Sequence, residues 1–137
     1  MSAIIMAIAA SAATHSITID HHGSPVQAVY SAHTDISMRT IGAATPNRTE
    51  QRRCLWTASI KVERSLSGSP ALTRTVAHDE LLSGSRHGPC NEGKRQTIAQ
   101  EINRQDKAIR AHLLEVAEQD HPRLLAELEA VRSLASN

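Results

Sequence analysis

Between residues 26 and 41, Val26, Ala28, Tyr30, Ala32, Thr34, Ile36, Met38 and Thr40 occupy alternate positions. Gln27, Ser31, His33, Asp35, Ser37 and Arg39 fill the gaps, with Val29 as the one exception. A period of two is the mark of a strand with one wet face. A strand this long is expected to bend or carry a bulge. The alternation is sharper from Cys54 onward, where Cys54, Trp56, Ala58, Ile60 and Val62 oppose Thr57, Ser59, Lys61 and Glu63. Residues 16–20 predict a shorter strand with Ile17 and Ile19 on one face, and residues 72–79 a weaker fourth. Turn residues separate them: His21-His22-Gly23-Ser24-Pro25, a Thr/Pro/Asn/Arg-rich loop over 42–53, a Ser/Gly/Pro stretch over 65–70 and a further loop over 83–89.

After Cys90 the period changes. From residue 92 to about 119 there is no proline, good helix formers dominate, and Ile98, Ile102, Ile109, Leu113 and Val116 form one apolar stripe. Asp120-His121-Pro122 predicts a break, because the residue before proline resists helical geometry. Asp120 or His121 would then cap a second helix with Pro122 in its first turn. Leu124, Leu125, Leu128, Val131 and Leu134 stripe that helix. The pattern predicts an α+β fold: a small antiparallel β-meander of about four strands packed against a C-terminal segment of two helices. A long helix on a small sheet is expected to leave part of its stripe for a partner or a second copy. The expected contact residues are Leu113, Val116, Leu124 and Leu128.

The first thirteen residues change the picture. Ile4 to Ala10 are apolar and are followed by Ser11, Ala12 and Ala13, the layout of a secretory signal with a small-residue cleavage site. The run is too short to span a bilayer, and no Lys or Arg precedes it. Residues 1–13 are therefore expected to be a cleaved signal peptide. Residues 14–137 would form one exported domain, β-rich over 14–91 and helical over 92–137, in the periplasm or secreted. Two cysteines in a small exported chain predict a Cys54–Cys90 disulfide. No transmembrane segment is expected in the mature chain.

Composition narrows the function. The 137 residues carry a formal net charge of +1, so no strong field draws the chain to nucleic acid. One Trp, one Tyr and no Phe leave no aromatic platform for stacking on bases. Eight histidines invite a metal or catalytic reading. The neighbours His21 and His22 are expected to diverge on an exposed turn, because a metal site needs several converging ligands. His33 and Asp35 share a strand face, where a carboxylate could orient an imidazole for base work, but no nucleophile pairs with them in the pattern. His78, Asp79 and Glu80 end the fourth strand at a spacing that fits no ligand motif. Arg48, Arg52 and Arg53 form a basic loop diluted by Glu50, expected to be solvated. Arg104, Lys107, Arg110, Glu115 and Glu118 mix signs as a solvated helix face does. No cofactor or metal is expected. The sequence favours a non-catalytic binding or assembly protein of the envelope; the alternative is a small periplasmic enzyme or metal-binding protein using His33, Asp35 or His78.

Overall fold

The computed structural model describes residues 6–7, 13–67 and 72–135. Its elements are β1 (Met6–Ala7), β2 (Ala13–His21), β3 (Ser24–Ile41), β4 (Arg53–Leu66), β5 (Leu72–His87), α1 (Glu92–Asn103) and α2 (Asp106–Ala135). Four long strands form an antiparallel meander in the order β2-β3-β4-β5, and β1 pairs with β3 further along the same edge. Two C-terminal helices and one Cys54–Cys90 disulfide complete the α+β fold that the pattern predicts. Residues 1–5 and 8–12 of the expected signal segment lie outside the described residues.

The alternation holds through the middle of β3 and all along β4, while the expected inward position Thr40 is exposed at the end of β3. Ala28, Tyr30, Ala32, Thr34 and Ile36 of β3 are buried, as are Cys54, Trp56, Ala58, Ile60 and Val62 of β4. β4 runs three residues past Glu63, so its inward row continues through Arg64 to Leu66. β5 also outruns expectation. Residues 83–87, expected as loop, are strand, paired with Arg53 to Thr57. The sheet absorbs the poor strand formers there because Trp56 lies over Gly84. A β-carbon at Gly84 would sit 2.8 Å from the indole ring, so only glycine lets the ring cover the bare backbone. The weak alternation of β5 has a cause as well. Its register with β4 slips twice, leaving Leu81 and Val76 as extra residues. Each slip reverses which parity faces inward.

α1 starts where expected. Asn91 caps it, its side chain accepting from the Lys94 backbone N–H at 2.8 Å. The chain then breaks at Arg104–Gln105, not at Asp120–Pro122, and α2 continues through Pro122. Proline inside a helix forfeits a backbone bond, here to the Glu118 carbonyl, and costs about 3 kcal/mol. The helix is held across that point because its residues on both sides are anchored to one sheet. Ile109, Leu113 and Val116 before it, and Leu124 after it, are all buried in the core. Ile98 and Ile102 of α1 join the same core. No helix among the described residues is long and apolar enough to cross a membrane.

Candidate functional site

α2 lies along one face of the sheet and touches all four long strands. Four strands about 4.8 Å apart span about 14 Å between their outer axes, while a helix with its side chains is about 10 Å wide. One helix cannot roof such a sheet, and a groove opens along each side of α2. The two grooves differ in chemistry. On the β5 side the walls include Asp79, His112, Glu115, Gln119 and Arg123, with His112 Nε2 lying 3.2 Å from the Asp79 carboxylate. On the β2 side a groove of about 830 Å³ is more apolar, lined by Ile17, Ile19, Ala111, Leu114 and Ala117, with the polar His15, Thr18, Glu115, Glu118 and His121 also in its walls. Ile17 and Ile19 are only half-buried and Leu114 is 48% exposed. Among the described residues, β2 pairs with β3 alone, so its other backbone edge lies open beside this groove.

The residues expected as partner contacts are placed otherwise. Leu113, Val116 and Leu124 face the sheet at 2%, 6% and 0% exposure, and Leu128 packs against the same core. Those four positions are taken up by the chain's own core. The large apolar residues that α2 leaves to solvent are Leu114 and three members of the second stripe, Leu125, Val131 and Leu134.

His33, Asp35 and His78 do come together, on the outer face of the sheet. His78 Nε2 lies 3.9 Å from Asp35, and His33 Nε2 lies 3.7 Å from Glu63. Lys61 sits 3.0 Å from Glu63 and holds its carboxyl below the usual range, chiefly through that hydrogen bond. The three side chains are 44%, 37% and 57% exposed. They stand on a solvated sheet face, and neither groove beside α2 includes them. Water screens such pairs strongly, so the arrangement supplies neither a dry site nor an activated nucleophile. The basic loop is likewise committed internally. Arg52 Nε and Nη2 donate to both oxygens of Glu50 at 2.8 and 2.7 Å, and Arg53 donates to Ser85 at 2.9 Å. These bonds, with the Arg52 backbone N–H, lower the Glu50 carboxyl to about 2.

Two clusters lie outside the sequence-level expectation. The first is buried. Asp120 Oδ2 accepts from Tyr30 Oη at 2.8 Å and from Arg64 Nη1 at 2.5 Å, with Arg64 only 2% exposed. Glu127 bridges Arg64 and Arg74. Burial, then the Asp120 carboxylate, push the Tyr30 phenol well above its ordinary value. This cluster is closed to solvent at its centre and reads as a structural tie between sheet and helix. The second lies at the hairpin between β2 and β3, where His21, His22 and Glu129 bring one ligand atom each within 4.8 Å of one another. Comparison of the chain with protein-family models, curated proteins and solved structures finds no match.

Proposed function

We propose that this chain is an exported protein of the periplasm or cell envelope that works by binding or assembly and not by catalysis. Its contact surface is the groove between β2 and α2, and its occupant is an extended segment of a partner protein that adds to the free edge of β2. The observation that carries this reading is the coincidence of an open strand edge with an apolar floor. Backbone groups along β2 supply hydrogen bonds, and Ile17, Ile19 and Leu114 supply pockets for alternate side chains, the two requirements of strand addition. The disulfide and the apolar N-terminal run support export. The solvated setting of His33, Asp35 and His78 weighs against the catalytic alternative.

Two measurements test the proposal. The intact mass of the native protein, with thiols alkylated before and after reduction, should lack about the first 13 residues and show no free thiol until reductant is added. A full-length mass overturns export. Photo-crosslinkers placed at Thr18 and at Leu114 should join the same partner in envelope extracts. Leu114→Glu should reduce joining at least tenfold while the disulfide-bonded fold is retained. A chain that stays monomeric by light scattering across a wide concentration range and in those extracts overturns the binding reading.

A further inference from the structure

Among the described residues, His22 is one of two non-glycine residues with positive φ, at 53°, and Gly23 follows at 81°. With His21 paired to Ser24, these make a two-residue hairpin loop in which both central residues take left-handed backbone, as a type I′ turn requires. Glycine fills such a position freely; a non-glycine residue such as histidine does so at some cost. The left-handed step has a geometric result. It swings His22 round so that its ring meets that of His21 edge to face, centroids 4.4 Å apart, where adjacent residues on an extended strand would diverge. Both rings then address α2. His22 Nε2 is 2.6 Å from Glu129 Oε1, and His21 Nε2 is 3.8 Å from the same oxygen. His21 is largely buried, and its Nε2 has no hydrogen-bond partner among the described residues. A buried imidazole nitrogen left unpartnered beside a second imidazole and a carboxylate brings together three donor atoms of the kind that ligate a transition ion.

We propose that His21, His22 and Glu129 form a binding site for a divalent transition cation of the zinc class. Two imidazole nitrogens and one carboxylate oxygen suit such an ion, at metal–ligand distances of about 2.0–2.2 Å. A tetrahedral arrangement sets neighbouring ligand atoms about 3.3 Å apart. The ligand atoms lie within 4.8 Å of one another, with contacts of 2.6 and 3.8 Å to Glu129, and a bound ion would draw them to that common spacing. His22 and Glu129 are 45% and 58% exposed, which gives the ion a path in and leaves its fourth position to water. The ligands come from the hairpin at the end of β2 and from the last quarter of α2. In that stretch Val131 and Leu134 face solvent, while Leu128 packs against the core. The ion therefore acts as a clip that fastens the end of α2 to the β2–β3 turn.

The test is calorimetric titration of the full-length, disulfide-bonded chain with Zn²⁺ after chelator treatment, with hydrogen exchange followed over residues 124–135. One Zn²⁺ per chain should bind, and amide protection over 124–135 should rise at least tenfold. His22→Ala and Glu129→Gln should each weaken binding at least tenfold; both residues are exposed enough for the variants to fold. His33→Ala and His78→Ala should leave binding unchanged. Absence of saturable binding overturns the proposal, as does binding that survives both His22→Ala and Glu129→Gln. Saturable binding without added protection overturns the clip. Crosslinking at Thr18 and Leu114 repeated in chelator reads the groove independently, because neither residue belongs to the metal set.

Discussion

Asp120 illustrates how much can rest on one side chain. Its carboxylate is the acceptor for both Tyr30 and Arg64, and all three are almost fully shielded from water. Asp120→Ala would leave the Arg64 guanidinium buried without its main counter-charge. The expected loss is about 3–5 kcal/mol, measured by urea unfolding. Tyr30→Phe removes one hydrogen bond to a charged acceptor and should cost about 1.5 kcal/mol. The two variants also differ in alkaline behaviour. The phenol of Tyr30 titrates higher in the folded chain than its ordinary 10.0. Above pH 10 the unfolded state therefore loses this proton first, and stability should fall as pH rises. In Tyr30→Phe that alkaline loss should shrink, and an unchanged profile would show that Tyr30 is not its source. The cluster was only half legible in the chain. The parity of β4 places residue 64 inward, but the Ser and Pro residues that follow suggest that the strand has already ended. Nothing local couples Arg64 to a residue 56 positions later. The hairpin histidines show the same limit, because only the left-handed step at His22, fixed by the turn, makes neighbours converge.

The elements themselves follow closely from pattern, and the departures follow from packing. β4 and the middle of β3 keep strict alternation because both are central strands with one face on the core. α2 departs from local preference, since the steric signal of Pro122 is real but is outweighed by anchors on either side of it. Pro122→Ala should therefore raise stability by up to about 3 kcal/mol, as the missing N–H is restored to a helix that is already continuous. A chemical unfolding curve decides this. A chain broken at Asp120 would gain nothing from the substitution, or would lose stability with its cap. The apolar stripes were visible in the sequence, but their occupant was not. Periodicity reports that a face is apolar and is silent on whether the cover comes from the same chain. Leu113, Val116 and Leu124 found theirs in the chain's own core, while Leu114 is left 48% exposed.

Across the whole molecule, one covalent bond ties the start of β4 to the residue preceding the Asn91 cap of α1. It closes a loop with a sequence separation of 36, and by the chain-entropy argument it contributes about 4 kcal/mol. The double variant Cys54→Ser/Cys90→Ser should lose about that much in urea unfolding, a large share of the 5–15 kcal/mol typical of a small domain. A loss below about 1 kcal/mol would mean that the sheet already restricts the unfolded chain. Among the described residues, the long strands paired on one side only are β2 and β5. The two register slips of β5 divide its outer backbone into short runs, Leu72–Thr75, Ala77–Glu80 and Leu82–His87. An incoming strand that follows one run falls out of step at the next, so β5 is a poor template for runaway sheet growth or fibril seeding. The nine residues of β2 keep a single register throughout. Among the described residues the molecule thus has one smooth margin and one serrated one, so any strand exchange is expected on the side where the groove lies.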